Sequence, residues 1–380
     1  MIRLRRRLLW AGLALLTGAV LAAACSIYDS SLLLPASDGG GDGSSDASPG
    51  LDSASTDGGA EASDPCNHML PPERPDGGDG TDDIGLIFAF NSLDVGLGVP
   101  LDLDRTCTCP APSSCIPPEG GAPVCDGTRG QDDSFTKVFT DVGFPKASFS
   151  TGALYNMLLI LKNYNGGMND DQVTASFVLS SGLEGVRFPD AGPTDVAQDG
   201  TDEWTVDPDT LFGGTGQNLI DSNSKCDPGN CLGDKRDGNA FVRDGVLVVT
   251  LDSLPSPSPI EPGRVVFDLK SVVITARIVA NSNGTHSLLD GGLTGRWPIT
   301  PLFHNVFRLN GCMNSANYQA FHPLVCKYVD IASDPSLDNK GAACDSVSAA
   351  LGFSAITAKG GHGYRIVSDA GCDYVNDTCP

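Results

Sequence analysis

Residues 264–280, with the sequence RVVFDLKSVVITARIVA, are the stretch that most directly predicts the fold. Apolar side chains recur at every second position, as in a β-strand with one buried face. They occupy odd positions up to Leu269 and even positions from Val272 onward. Because one inserted residue shifts the phase in this way, we predict a β-bulge or a sharp bend near residues 270–271.

The same period of two recurs outward from this stretch, at residues 84–90 and 173–179. Residues 154–161 are a nearly continuous apolar run, which suits a strand buried on both faces. A turn-forming sequence joins this run to residues 173–179, so the two segments are predicted to form a hairpin. Residues 241–251 are β-rich and contain an Asp-Gly turn signal. With 46 glycines and 26 prolines between short strands, the chain is predicted to be mainly β, with a β-sandwich or jelly-roll-like body.

The β-rich domain is expected to span residues 66–309, with a Cys-rich loop at residues 107–125. Residues 310–380 are expected to form a small Cys-rich helical segment packed on that domain. Helical periodicity lies at residues 314–332 and 345–358. Disulfides would clip the two helices together or to the sheet.

The first 24 residues have the composition of an export signal. Arginines at positions 3, 5, 6 and 7 precede an apolar stretch, residues 8–24, that ends in small side chains. This stretch is short for a membrane-spanning helix, which takes about 20 apolar residues, so a membrane anchor is the less favoured interpretation. Secretion without a lipid is the other alternative.

Residues 21–25, LAAAC, resemble the lipobox of bacterial lipoproteins, in which small residues precede a Cys. The resemblance implies cleavage behind Ala24 and lipidation of Cys25, and it departs from the pattern at Ala22, where Leu is usual. Several acyl chains hold a protein on a membrane lastingly, since each buried CH₂ contributes about 0.8 kcal/mol. Ser26, in the place of an Asp, implies an outer-membrane lipoprotein on the periplasmic or the cell-surface face.

Residues 25–65 are predicted to be a lipidated N-terminus and a disordered tether. Residues 36–65 are almost all Ser, Gly, Ala and acidic residues, with no Lys or Arg, so they cannot bury enough apolar surface to fold. The whole chain carries a net charge of −23. This charge argues against nucleic acid as a partner, because phosphate binding takes a basic face.

The cysteines predict an oxidised body held by disulfides. With Cys25 assigned to the lipid, twelve of the 13 cysteines remain, an even number that suits up to six disulfides. The candidates are Cys66, Cys107, Cys109, Cys115, Cys125, Cys226, Cys231, Cys312, Cys326, Cys344, Cys372 and Cys379. The first and last groups each hold five, so at least one bridge joins distant parts if all twelve pair. A zinc cluster at residues 107–125 is disfavoured, because this proline-rich segment lacks a C-x-x-C pair.

Two acidic loops are candidate calcium sites, because oxygen ligands on a turn suit Ca²⁺. The first loop offers Asn165, Asn169, Asp170 and Asp171, and the second offers Asp227, Asn230, Asp234 and Asp237. Neither matches the calcium-loop frame D-x-[DN]-x-[DN]-G, and Asp, Asn and Gly are also ordinary turn residues. We expect no cofactor other than calcium at these positions.

A platform for a sugar ligand is the second candidate site. Aromatic side chains stack on sugar faces, and the candidates are Tyr164, Trp204 and Trp297. With only 7% aromatic residues, packing in the core is the competing explanation for each.

Catalytic motifs are absent from the sequence. It contains no G-x-S-x-G, H-E-x-x-H, Walker loop or G-x-G-x-x-G, and its five histidines lack ligand spacing, so we expect them to be structural. The architecture also resembles Cys-rich surface lipoproteins with Gly/Asp/Ser tethers of high-GC bacteria, a resemblance that carries no catalytic residue.

Three hypotheses for the function follow. The first is a non-enzymatic binding or structural module anchored at the bacterial cell surface. The second is an extracellular carbohydrate-binding or hydrolytic domain stabilised by calcium, and the third is a subunit of an envelope assembly. The partners that these hypotheses imply are the membrane, through the lipid anchor, and a glycan or an envelope protein. A cleft that gathers carboxylates with raised pKa values would favour an enzyme.

Overall fold

The computed structural model describes residues 66–119, 121–143, 146–150, 155–186, 196–212, 224–255, 266–308, 313–364 and 377–379. All of them belong to the second of two compact units, residues 61–380. The predictions for the signal at residues 1–24, for Cys25 and for the tether at residues 25–65 lie outside the described residues, as do those for Cys312 and Cys372.

Strands dominate the described residues. They are β1 (Ile84–Val95), β2 (Ala147–Ser150), β3 (Asn156–Tyr164), β4 (Asp170–Ser180), β5 (Glu203–Val206), β6 (Lys235–Arg243), β7 (Val246–Ser253), β8 (Lys270–Ala280), β9 (His286–Pro298), β10 (Ser346–Thr357) and β11 (Lys359–Gly363). The helices there are α1 (Ser134–Asp141), α2 (Ile299–Arg308) and α3 (Ala316–Lys327). The prediction of a mainly β chain is confirmed.

Eight strands form one closed antiparallel barrel. Their order is β1-β3-β4-β6-β7-β8-β9-β10, and β10 pairs back with β1, for example at Leu93 and Phe353. The predicted β-sandwich or jelly-roll is therefore wrong, since two packed sheets would leave edges that this barrel does not have. Alternation along a strand reveals its buried face but carries no information on which strand lies beside it.

Local features of the barrel follow the sequence closely. The register of β8 against β9 shifts between Lys270 and Val273, and Ser271 has a positive φ of 48°, so the predicted bulge is confirmed. The predicted hairpin is formed by β3 and β4. Asp244 and Gly245 both have positive φ in the tight turn between β6 and β7, which suits the twist of a hairpin.

One hydrophobic core fills the barrel. It contains inward side chains from all eight strands and from the three helices. Rings contact one another across it, as between Phe90 and Phe353, whose centroids are 4.5 Å apart, and between Phe135 and Trp297 at 4.9 Å. An eight-stranded barrel is just wide enough for its side chains to fill it.

A second core covers the outer wall at β1, β3 and β4. Outward side chains such as Leu158 and Ile160 pack there against Trp204 and Val206 of β5. Because β3 is buried on both faces, it has no period of two, as its continuous apolar run predicted.

Strands β9 and β10 are contacted from outside the barrel core by residues 96–119 and 121–133, which we call the cover loop. Its Ile116 donates a backbone hydrogen bond of 2.7 Å to the Ala342 carbonyl beside β10, and its Leu103 carbonyl accepts one from Arg296 of β9. The backbone of Leu97 and Gly98 lies against Leu351 and Gly352, and the first eight residues of β10 are all buried.

This double burial explains an error at residues 345–358, which were predicted to be helical and form β10 instead. A strand covered on both faces loses its alternation, so its spaced apolar residues also fitted a helix. The other predicted helix, within residues 314–332, is confirmed as α3. The C-terminal segment thus contributes a barrel strand as well as a helix.

The described residues contain five disulfides. They pair Cys66 with Cys107, Cys109 with Cys125, Cys115 with Cys344, Cys226 with Cys231, and Cys326 with Cys379. The chain is therefore disulfide-rich, as its cysteine content indicated. Three of these bridges involve the cover loop, and the Cys115–Cys344 bridge ties it to the segment that leads into β10.

Candidate functional site

The three aromatic residues predicted to bind a sugar are buried. Trp297 belongs to the barrel core and Trp204 to the outer core, each with 1% of its surface exposed. Tyr164 is also buried, and its hydroxyl donates a hydrogen bond to the Gly167 carbonyl at 2.8 Å. The predicted ligand platform is not formed, because none of these rings presents a face to solvent.

The first predicted calcium loop uses its polar groups to build the β3–β4 turn. Asp170 accepts hydrogen bonds from the backbone N–H groups of Asn165 at 2.7 Å and Gln172 at 3.1 Å. The Asn165 amide donates to the Asn169 carbonyl at 2.9 Å, and Asp171 is exposed to solvent. The loop is a well-bonded turn, and calcium binding there stays a prediction.

The second predicted loop is divided between two structures. Asp227 accepts from the backbone of Gly229 and Asn230 inside the short Cys226–Cys231 ring. Asp237 instead lies on β6 and accepts from Thr250 of β7 at 2.8 Å. Asp234 is exposed. No residue of either predicted loop belongs to the three described groups of His, Cys, Asp or Glu whose ligand atoms lie within 4.8 Å of one another.

One of those three groups lies in the cover loop and consists of Asp102, Asp104 and Asp132, which we call the buried cluster. Only 5%, 6% and 2% of these residues are exposed. Backbone hydrogen bonds bring the two ends of the loop together, since Asp132 N–H donates to the Leu101 carbonyl at 3.0 Å. The Cys66–Cys107 bridge holds the chain just after Asp104 in place.

Few donors face the buried cluster. The Thr106 N–H is shared between Asp104 at 2.9 Å and Asp102 at 3.3 Å, and Leu103 N–H donates to Asp132 at 2.7 Å. The His68 ring contacts Asp102 through Nδ1. Cys66 lies close to this His68–Asp102 contact, but its sulfur is consumed by a disulfide and is no metal ligand.

Burial changes the acidity of the carboxyl groups in and around the buried cluster. It raises the pKa of Asp104 to about 6 and that of nearby Asp126 to about 7. Burial, together with the charge of Asp104, also raises the pKa of Asp132 well above its usual value. The first cause in each case is the loss of water around the carboxylate, and repulsion from neighbouring carboxylates adds to it.

A second group, which we call the surface cluster, consists of Glu184, Glu203 and His362. It lies where β5 and β11 pair in parallel, over the outer core. His362 Nδ1 is 3.2 Å from Glu184, and Lys225 Nζ is 2.6 Å from Glu203. Burial raises the pKa of Glu184, but hydrogen bonds from His362 outweigh it and hold that pKa below its usual value.

A groove of about 670 Å³ opens between the cover loop and α3. Its walls are mostly apolar, with Pro118 and Val124 on one side and Pro323 and Tyr328 on the other. Lys327 lies at its edge and pairs with Asp141 at 2.7 Å. Concave apolar surfaces of this size are typical of ligand sites.

No protein-family model, no curated protein and no solved structure matches the chain. In the part of the chain that the structure describes, no helix is both long and apolar enough to cross a membrane.

Sequence reasoning missed the buried cluster, although its signal is present. Asp102 and Asp104 stand at alternate positions in LDLDRT, just before the first Cys of the Cys-rich loop. Asp132 follows almost 30 residues later in the sequence, so its position beside Asp102 and Asp104 depends on how the two ends of the cover loop come together. The histidines of the clusters were expected to be structural, and the structure places His68 and His362 against carboxylates.

Proposed function

We propose that the protein is a lipid-anchored module of the bacterial cell envelope that acts by binding or as a structural element, and not as an enzyme. The observation that carries the proposal is the disulfide network, five bridges among the described residues. Such bridges form and persist in oxidising compartments outside the cytoplasm. They agree with the export signal and with the lipobox-like residues that end at Cys25.

Mass spectrometry of the native protein extracted from membranes tests this proposal. We expect an N-terminus at Cys25 that carries acyl chains, and no alkylation of body cysteines before reduction. The Cys25→Ser variant should leave the membrane fraction with its disulfides intact. An unprocessed N-terminus with free thiols would overturn the proposal. A cleaved chain without lipid would overturn the lipid anchor and favour secretion without a lipid.

A binding role is supported by where the molecule offers concave space. The barrel interior is filled by the core, so a partner has to bind outside it. The groove between the cover loop and α3 has proline, valine and tyrosine walls, which suit an apolar segment of an envelope protein better than a sugar. The buried positions of Trp204 and Trp297 also argue against sugar stacking.

Site-specific photo-crosslinking in intact cells tests the groove. A photoreactive residue at Val124 should capture a defined envelope protein, whereas one at exposed Gly185, beside the surface cluster, should not. Equal capture at both positions would overturn the assignment. Saturable binding of the Cys25→Ser protein on a glycan array would favour the carbohydrate-binding alternative instead.

A further inference from the structure

We infer that the cover loop holds a calcium ion at Asp102, Asp104 and Asp132, with the hydroxyl of Ser114 as a further oxygen ligand. This site differs from both loops that the sequence predicted, and it is independent of the groove proposed above.

The positions of the carboxylates fit one ion. One oxygen from each of Asp102, Asp104 and Asp132 can be chosen so that all lie within 4.8 Å of one another. Calcium–oxygen distances are about 2.4 Å, so two ligands on opposite sides of the ion are at most about 4.8 Å apart. A single calcium ion can therefore contact all three side chains.

The three carboxylates of the buried cluster carry more negative charge than the described side chains beside them can balance. Arg296, the nearby buried guanidinium, is bound to Asp338 at 2.8 Å and to the carbonyls of Ala332 and Leu103. His68 contacts Asp102 alone among the three acids. By contrast, the surface cluster has Lys225 as well as His362 beside it. Burying carboxylates without a cation is costly, and a bound metal removes that cost.

Ser114 provides an independent sign of a ligand at this place. It is 1% exposed, and its Oγ makes no hydrogen bond of standard geometry. The Ser114 carbonyl accepts a hydrogen bond from the Asn339 N–H at 2.7 Å, and the Asn339 amide donates to the Thr106 hydroxyl at 3.2 Å, which places Ser114 beside the segment that binds Asp104. A buried hydroxyl that makes no hydrogen bond of standard geometry is rare, and coordination of an ion beside Asp104 would satisfy its oxygen.

The donor set selects calcium. All four side chains offer oxygen, and calcium accepts six to eight oxygens in flexible geometry, including backbone carbonyls. Gly130 lets the Asp102 carboxylate and the Thr106 carbonyl lie close to the backbone of the cover loop. A Cβ at this position would collide with the Asp102 carboxylate and come within 3.0 Å of the Thr106 carbonyl. Zinc prefers nitrogen and sulfur, and magnesium keeps several waters that a buried site excludes.

Calorimetry on the full-length Cys25→Ser protein, freed of metal by a chelator, tests the inference. We expect one calcium ion per chain, a higher melting temperature with calcium, and weaker effects of magnesium and zinc. Asp132→Asn should abolish the binding heat, whereas Asp170→Asn and Asp227→Asn, in the two predicted loops, should keep it. No heat with calcium, equal binding of magnesium, or loss of binding only in a control variant would each overturn the inference.

The melting temperature of Asp132→Asn separates a calcium ligand from a merely structural residue. Without calcium the variant should be more stable than the parent protein, because it removes repulsion among the carboxylates. With calcium the order should reverse. Lower stability under both conditions would contradict the inference, and Ser114→Ala, which keeps every carboxylate, should weaken calcium binding without preventing folding.

Discussion

The buried cluster of Asp102, Asp104 and Asp132 and the surface cluster of Glu184, Glu203 and His362 differ in burial and in the cations beside them. The side chains of the surface cluster are about a quarter to a third exposed, and Lys225 and His362 face its carboxylates. The acids of the buried cluster are enclosed by the cover loop. The pKa of Glu184 is accordingly lowered, and those of Asp104 and Asp132 are raised.

This difference separates two uses of acidic residues. In the surface cluster, the chain pairs its own charges in contact with water, and each exposed pair contributes little to stability. In the buried cluster, the chain brings three buried carboxylates together, and we infer that a ligand supplies the balancing charge. The five predictions below test this contrast, from the largest expected effect to the smallest.

The largest effect is expected from the disulfide that holds the cover loop. Replacing Cys115 and Cys344 together by Ser opens a bridge with a sequence separation of 229, which corresponds to about 5 kcal/mol of unfolding free energy. The same change at Cys226 and Cys231, a separation of 5 beside the surface cluster, should cost about 2 kcal/mol. Urea unfolding measures both, and equal losses would show that the cover loop is held by other contacts.

The buried Arg296 should matter more than the exposed Lys225. Arg296→Met leaves Asp338 and two backbone carbonyls without their donor, which should cost about 3–5 kcal/mol. Lys225→Met removes an exposed partner of Glu203 and should change stability little. Thermal unfolding with calcium present compares the two variants. A small effect of Arg296→Met would mean that β9 does not anchor the cover loop.

Two glycines with positive φ provide a matched pair. Gly185 has φ 78° and no heavy atom within 4 Å of the position that a Cβ would take, so Gly185→Ala should cost only about 1–2 kcal/mol for its backbone conformation. Gly130 has φ 71° and adjoins Asp102, so Gly130→Ala should cost more and also reduce the calcium heat. Similar stability of the two variants, with unchanged calcium binding, would argue against close packing at the buried cluster.

The last two predictions concern pH. In the calcium-free protein, the raised pKa values of Asp104 and Asp126, about 6 and about 7, mean that the folded state binds more protons than the unfolded one above pH about 4. The melting temperature should therefore fall by several degrees as the pH rises from 5 to 8, and calcium should restore it. Scanning calorimetry from pH 5 to 8, with and without calcium, measures this change in melting temperature.

The surface cluster contributes the opposite dependence. Because the pKa of Glu184 is lowered in the folded protein, its carboxylate stabilises the folded state at pH values above the pKa of the unfolded chain. This stabilisation is lost as the pH falls through the lowered pKa of the folded state. Glu184→Gln should therefore remove a small stabilising contribution at neutral pH without altering the slope between pH 5 and 8. A calcium-free melting temperature that stays constant over that range would contradict the assignment of raised pKa values to the cover loop.

The sequence alone was enough for features that depend on neighbouring residues. The phase change at Lys270 and Ser271 predicted the bulge in β8, the apolar run of β3 predicted its double burial, and the cysteines indicated a disulfide-rich body. These features follow from the two-residue period of a strand and from side-chain chemistry, both of which are local.

Only the tertiary structure decided the rest. The pairing of β10 with β1 turned an expected sandwich into a barrel, and the cover loop buried β10 on its second face and hid its strand period. The same loop brings Asp132 to Asp102 and Asp104, while the Cys115–Cys344 bridge spans 229 residues. Contacts between such distant residues arise from the packing of whole elements, and the alternation within any one segment cannot specify them.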